Sequence, residues 1–283
     1  MAAHANPPPP PSPPSPRTPR APPTSPAPLQ QAHIDCACTL AQKGRDLLRQ
    51  QFRQTHIINV KADATLVTDI DKRIETLWRD TIARTFPDHG IIGEEFPPVR
   101  EDAPWLWSLD PLDGTSAFVS GSPLYGLLVG LCYHETPCYG IIASPQQNEQ
   151  WQGGPHQPTT WQNKPCRTRQ QNSLNQALLY ATTPDMFSPQ QYALFQRLSG
   201  QCLATRYGVD CYAYGLLASG FIDIVAEASM KPADYLALAP VIQGAGGTIT
   251  DWLGKPLSRH SDGSVLACST HTLHQHVLNL WHG

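Results

Sequence analysis

Helical and strand-like stretches alternate along most of this 283-residue chain, with hairpin-like strands in its middle, and this interleaving predicts an α/β fold built in layers. Two further observations bound that expectation. Beyond a proline-rich leader the chain is long enough for a large α/β domain or two small packed units. No internal repeat divides it.

The leader comes first. Of the 29 prolines, 13 fall within the first 28 residues. Proline lacks the N–H that helices and ladders need, so residues 1–29 are expected to form a polyproline-like or disordered tail. Residues 30–283 are then the folded domain. Arg17 and Arg20 are the tail's charges, with no acid. A dispensable extension is one reading, with a docking tail or an organelle transit peptide as alternatives.

From Gln30 the pattern changes. Ile34, Cys38, Ala41 and Leu48 recur near helical spacing and predict a helix over 32–54. A second helix is expected over 70–84, opened by Thr68 or Asp69 and closed before Pro87. Short apolar strands follow at 90–93, 105–109, 124–133 and 137–143, the last two joined by a turn at 134–136. The second half reads as helix 189–198, strand 202–207, helix 210–219, strand 221–226 and helix 234–243. Strands at 247–251 and 264–268 and a closing helix over 270–281 complete the series. Pro240 is expected to kink its helix, because it cannot bond to the carbonyl of Leu236.

Composition excludes several function classes. The 20 basic and 23 acidic side chains give a net charge of −3, with no general pull towards nucleic acid or anionic lipid. The longest nearly apolar run, 124–133, reaches only about half of a bilayer span, so no membrane crossing is expected. The eight cysteines are scattered without C-x-x-C spacing or a secretory leader, which suggests a reducing compartment. A cytoplasmic location is expected, or a plastid or other organelle if the leader is a transit peptide.

Acids cluster where a bland sequence would not put them. Asp110-Pro111-Leu112-Asp113-Gly114-Thr115 follows the apolar strand 105–109, which places Asp110 and Asp113 at a strand's carboxyl end. Gly114 permits an unusual backbone angle, and Thr115-Ser116 offer hydroxyls and N–H groups to an anion. Two carboxylates with a carbonyl between them suit a hard divalent cation, above all Mg²⁺. One of Glu94 and Glu95, adjacent at the preceding strand's end, can face the same pocket. Asp69 and Asp71 flank a helix start, Lys61-Ala62-Asp63 reads as surface loop, and Asp234 stands before an apolar helix ending in Gly244-Ala245-Gly246-Gly247. His271, His274 and His276 lie together near the C-terminus without Cys or acid ligands, so no transition-metal site is expected.

In order, V-T-D-I-D at 67–71, G-E-E at 93–95, W-S-L-D-P-L-D-G-T at 107–115 and the Asp234 helix resemble the inositol monophosphatase family of Mg²⁺-dependent phosphomonoesterases. The resemblance runs from about Gln30 to the C-terminus and implies an α-β-α-β-α sandwich. It implies metal ligation by Glu94, Asp110, the Leu112 carbonyl, Asp113 and Asp234. Thr115 and Asp71 would orient and deprotonate the attacking water, with phosphate on the Gly114–Ser116 backbone.

One departure stands out: K-P-A-D-Y at 231–235 lacks the tryptophan that many members carry before the last metal-binding acid. That run, the 110–131 segment and D-C-Y-A-Y-G-L-L-A-S-G at 210–220 are similar to the histidinol-phosphatase branch. The implied reaction is hydrolysis of L-histidinol phosphate. Asp210 matches a position that is small in inositol phosphatases, and Glu227 corresponds to their substrate-contacting glutamate. Either carboxylate would pair with a cationic leaving group. An inositol-1-phosphatase or broad sugar phosphatase is the nearest rival, and an RNA-associated regulatory role the non-enzymatic one. Expected partners are a small phosphate ester and a second copy of the chain, as a homodimer, with neither nucleic acid nor membrane.

Overall fold

Strand periodicity sorts the core into layers. The computed structural model describes residues 29–55, 58–60 and 66–283. The proline-rich stretch 1–28 and the Lys61-Ala62-Asp63 loop lie outside the described residues. In chain order the elements are α1 (Gln31–Gln51), β1 (Ile58–Val60), β2 (Leu66–Thr68), α2 (Asp69–Thr85), β3 (Gly90–Gly93), β4 (Trp105–Asp113) and α3 (Thr115–Val119). Then come β5 (Gly126–Tyr133), β6 (Thr136–Ser144), β7 (Glu149–Gly154), β8 (Gln157–Trp161), β9 (Lys164–Pro165), β10 (Leu178–Ala181), α4 (Pro189–Ser199) and β11 (Ala204–Tyr207). The rest are α5 (Tyr212–Ala218), β12 (Ile224–Glu227), α6 (Pro232–Gly244), β13 (Thr248–Thr250), β14 (Val265–Cys268) and α7 (His271–His282).

Strands β3 to β9 form a seven-stranded sheet in sequence order, antiparallel except where β3 runs parallel to β4. Successive side chains of a strand leave by opposite faces. Leu127, Val129 and Leu131 of β5 therefore join Leu40, Ile74 and Trp78 of α1 and α2, while Leu128 and Cys132 join Leu236 of α6. The second sheet has the order β11-β10-β12-β14-β13. There Val225, Val265 and Ala267 face α5 and α6, and Ile224, Ala226, Leu266 and Cys268 pack on Phe195, Leu273 and Val277 of α4 and α7.

Helix α6 is buried along nearly its whole length, from Ala233 to Ile242, because both of its faces meet a sheet. Its lack of polar periodicity follows from that position. Each fully buried leucine or isoleucine contributes roughly 1.5–3 kcal/mol. The layers are thus helices, sheet, helices, sheet, helices. This is the α/β layered α-β-α-β-α sandwich that the motifs implied.

Several local outcomes differ from the pattern-based reading. The hairpin between β5 and β6 turns on two residues, His134 and Glu135, both with positive φ (43° and 69°), as a type I′ geometry requires. Strands β7 to β10 have no counterpart in the pattern-based reading: β7 and β8 carry glutamines and threonines rather than an apolar run, β9 has two residues, and β10 is a short apolar stretch of four. Long-range partners settle them: Arg45 donates to Gln150 at 3.2 Å, and the Cys38 thiol to Gln152 at 3.5 Å. Helix α5 begins at Tyr212, so Asp210 does not open it; Asp210 has φ 45°, and Cys211 is the residue before the helix. Helix α6 begins at Pro232, which makes Asp234 its third residue rather than the cap, and Pro240 lies inside it.

The second sheet is tied down by one buried acid. The fully buried Asp223 takes the Arg169 fork on both carboxylate oxygens and the N–H of Leu178 at 2.7 Å. The Arg169 side chain is partly exposed, so the main cost of losing Asp223 is the part-buried Leu178 N–H left without its acceptor, about 1–3 kcal/mol. Asp223→Ala should lower the urea midpoint accordingly, with Asp223→Asn intermediate; equal midpoints for wild type and Asp223→Ala would contradict this account.

Candidate active site

Strand β4 changes character where its acids begin. Asp110 pairs with Leu128 and Asp113 with Gly126, so three steps on β4 match two on β5. That is a one-residue bulge. Pro111 fits there because a bulged position owes the ladder no N–H. In a regular strand, residues three apart face opposite sides. The bulge instead lets Asp110 and Asp113 line one cleft of about 950 Å³.

Gly114 follows with φ 78°, a backbone conformation in which other residues are strained, and turns the chain directly into α3. Gly114, Thr115 and Ser116 all line the cleft. Glu94 reaches it from the end of β3, Asp234 from the first turn of α6, and Asp210 from the loop before α5. Two sheets and the central helix layer therefore converge on one concavity.

Each deep carboxylate is held by a backbone N–H. Leu112 donates to Asp110 Oδ1 at 3.0 Å, Cys211 to Asp113 Oδ2 at 2.6 Å, and Lys231 to Asp234 Oδ2 at 2.8 Å. The Lys231 ammonium lies 3.3 Å from Glu94 Oε1 and is the single cation among the described residues that line the cleft. Those contacts do not offset the crowding. Burial, then Glu94, Asp113 and Asp234, hold Asp110 well above the usual carboxylate range. Burial, Glu94 and Asp113 do the same to Asp234. Burial, with Asp210 beside it, pushes Asp113 up to about 7. Asp210 also rises to about 7, from burial and the nearby Glu227.

Three expected roles meet a different geometry. Asp71 is fully buried and does not line the cleft; its Oδ2 accepts the Thr68 N–H at 3.0 Å and the Thr68 hydroxyl. Its Oδ1 finds no partner among the described residues, and burial lifts its pKa to about 6. Thr115 does not bond to Asp71 but donates to the Leu112 carbonyl at 3.0 Å, the local bond that its place in the first turn of α3 favours. Glu227 lies behind the wall, 2% exposed. Its Oε1 takes the Thr182 N–H (2.8 Å) and hydroxyl (2.6 Å), and its Oε2 the Tyr214 hydroxyl (2.9 Å).

The wall opposite the acids was not foreseen. Thr182, Thr183, Asp185 and Ser229 form part of it. The Thr183-Pro184-Asp185 run was the available signal, since a hydroxyl residue followed by proline and an acid opens a helical turn, and Thr183 Oγ1 does accept the Asp185 N–H.

The donor set fits a hard cation. All side-chain donors are carboxylates, and they repel one another. Among the described residues, no group of three or more His, Cys, Asp and Glu side chains converges closely enough to hold a metal ion on side chains alone. Mg²⁺ suits such an open site, because it keeps waters and phosphate oxygens as ligands alongside one or two carboxylates.

The family model for the inositol monophosphatase family matches residues 29–282. The chain belongs to that family. Its members are Mg²⁺-dependent phosphatases, and the chain is a phosphomonoesterase. The bifunctional phosphatase IMPL2 of Arabidopsis thaliana, named as chloroplastic, is 38% identical over 91% of this chain and 79% of its own length. The histidinol-phosphatase of Chlorobaculum parvum is 30% identical over 83% of this chain and 91% of its own. Among solved structures, an inositol monophosphatase from Zymomonas mobilis superposes with a TM-score of 0.82 at 37% identity, covering 89% of this chain and 98% of that one. Among the described residues, no helix is long and apolar enough to cross a membrane.

Clustered acids make this phosphatase's stability depend on pH in a defined direction. A carboxyl group whose pKa is raised on folding favours the fold while protonated. That contribution is complete below the ordinary value near 4 and is lost as pH climbs to about 7. Without added Mg²⁺, Asp113→Asn should therefore melt several degrees above wild type at pH 7.5, at about 2–4 °C per kcal/mol for a chain of this size. The gap should close towards pH 4. A melting difference that stays constant across that range would exclude relief of buried charge as its cause.

Proposed function

We propose that the chain hydrolyses L-histidinol phosphate to L-histidinol and phosphate. The observation that carries this reading is the placement of Asp210. Its left-handed backbone seats the carboxylate against Gly114, where an added Cβ would meet Asp210 Cγ at 3.0 Å. A carboxylate thus stands at the cleft beside the proposed phosphate turn, positioned for a cationic group on the leaving alcohol. Histidinol carries an ammonium and an imidazole, and the histidinol-phosphatase relatives support the same reading.

In this reading Glu94, Asp110, Asp113, Asp234 and the Leu112 carbonyl would hold Mg²⁺. When bound, the metal supplies a polarised phosphate, a water of lowered pKa and charge neutralisation at the leaving oxygen. The Gly114–Ser116 segment binds phosphate oxygens through its N–H groups. The Thr115 hydroxyl, which lines the cleft, orients the attacking water. Asp71, buried outside the cleft lining with Oδ1 unpartnered among the described residues, would take the water's proton only once the water reaches that oxygen. Asp210 holds the substrate's ammonium. Glu227 acts through Thr182, fixing the hydroxyl that the cleft presents.

An inositol-phosphate substrate is the second reading, favoured by the inositol monophosphatase relatives and by the hydroxyls of Thr182, Thr183 and Ser229 along the wall. The two separate in kcat/KM for histidinol phosphate and inositol 1-phosphate with Mg²⁺. Wild type should prefer histidinol phosphate, and Asp110→Asn should lose both activities by far more than tenfold. Asp210→Ala should cost histidinol phosphate about ten- to a hundredfold, from a charge-assisted bond of roughly 1.5–3 kcal/mol, and inositol phosphate less. Equal losses on both substrates would leave Asp210 no role in selecting the substrate, and a wild-type preference for inositol phosphate would favour the second reading.

The leader is proposed as a targeting segment. It carries arginines without acids, and one relative is named as chloroplastic. Isolated plastids should import and shorten the full chain but not a chain beginning at Gln30; equal import of both, or of neither, would refute this.

A further inference from the structure

Glu94 owes its place to an acid–base pair on another element. Glu75 lies one helical turn after Asp71 on α2 and is fully buried. One carboxylate oxygen, Oε1, accepts Arg79 Nε at 2.7 Å; the other, Oε2, accepts the backbone N–H of Glu95 at 2.7 Å. Arg79 continues across the same segment, donating to the carbonyls of Phe96 at 2.9 Å and Pro97 at 3.1 Å. Gly93 lies so close that a Cβ there would collide with the Glu75 carboxylate. On the other side, the Glu94 N–H bonds to the Leu109 carbonyl of β4 at 3.2 Å.

The tandem acids are therefore gripped from two directions. The N–H of Glu94 is fixed to the strand that carries Asp110, and the N–H of Glu95 to the helix that carries Asp71. With both neighbouring peptides held, the backbone of Glu94 cannot rotate its side chain away from the cleft. A buried carboxylate that receives a guanidinium and a main-chain donor is an expensive device for joining a loop to a helix. Burial, with the Glu95 charge adding to it, raises the pKa of Glu75 against the pull of the Glu95 N–H and Arg79.

We propose that Glu75, with Arg79, is a positioning residue that aims Glu94 into the cleft and so sets the affinity for the divalent cation, leaving the chemical step intact once the metal is bound. The proposal rests on the reading of Glu94 as a metal ligand. Removing an outer partner of this type weakens metal binding roughly ten- to a hundredfold.

The test titrates Mn²⁺ into the purified full-length protein by electron paramagnetic resonance, beside the Mg²⁺ dependence of turnover, for Glu75→Ala, Glu75→Gln, Arg79→Ala and Glu94→Gln. Glu75→Ala and Arg79→Ala should both bind Mn²⁺ at least tenfold more weakly, and their kcat should return to within about threefold of wild type at saturating Mg²⁺. Glu75→Gln should fall between, since its amide keeps one acceptor. If Glu75→Ala does not fold, Arg79→Ala decides, because its side chain is partly exposed (15%). Wild-type Mn²⁺ affinity in Arg79→Ala, or a turnover loss that saturating Mg²⁺ does not restore, would overturn the proposal while leaving the Glu94 assignment standing. Unchanged Mn²⁺ binding in Glu94→Gln would overturn that assignment and the positioning role with it.

Discussion

Mutual repulsion among buried carboxylates is the constraint around which this structure is arranged. Glu94, Asp110, Asp113 and Asp234 come from three parts of the fold and meet where Glu94, Asp113 and Asp234 raise the proton affinity of Asp110, and Glu94 and Asp113 that of Asp234. An array of like charge in a half-buried cleft spreads apart unless the scaffold holds each member. Here the holding is done mainly by main-chain N–H groups, from Leu112, Cys211 and Lys231. A backbone donor has no side-chain freedom to lose, so the acids stay poised for a cation that relieves the repulsion.

The layers explain how the acids are brought together. Helix α6 delivers Asp234 from its first turn while burying the remaining turns between both sheets. It can do so only because its surface is apolar all round. The bulge in β4 turns two residues that a regular strand would send to opposite faces towards the same cleft. Helix α2 carries Asp71, Glu75 and Arg79 at successive i, i+4 spacing, and from that face Glu75 and Arg79 hold the segment that follows β3.

The substrate side is built differently. Thr182, Thr183, Asp185, Asp210 and Ser229 come from loops and strand ends rather than from the sheet interior. Two of them, Asp210 and Ser229, hold positive φ (45° and 59°), and such strain persists only where the surroundings enforce it. Glu227 reinforces this wall from behind through Thr182 and Tyr214. The acid wall defines the reaction class, and the loop wall is where members of a phosphatase family can differ in the alcohol they accept.

How much of this was legible in the sequence depends on whether a signal is local. The apolar periods of α1, α2, β5 and β6 are local properties of the chain, and so are the acids beside proline and glycine at 110–115. The family motifs and the layered class follow from them. Strand β7 was not legible, because its glutamine side chains read as surface until α1 lies over them, and β8 to β10 are too short to show a period. Nor could the chain alone say that Asp110 and Asp113 share a face, which depends on a bulge, or that Asp210 stands outside its helix with a left-handed backbone. Glu227 and Glu75 make the same point from opposite sides. By resemblance Glu227 is a substrate contact, and nothing in the sequence singles out Glu75, yet packing puts both out of solvent and gives each a backbone N–H to hold. Sequence determined which chemical groups the protein owns and roughly where its helices and strands run. Tertiary structure decided which groups face the cleft and which stand behind it, because that choice is made by contacts between residues tens of positions apart.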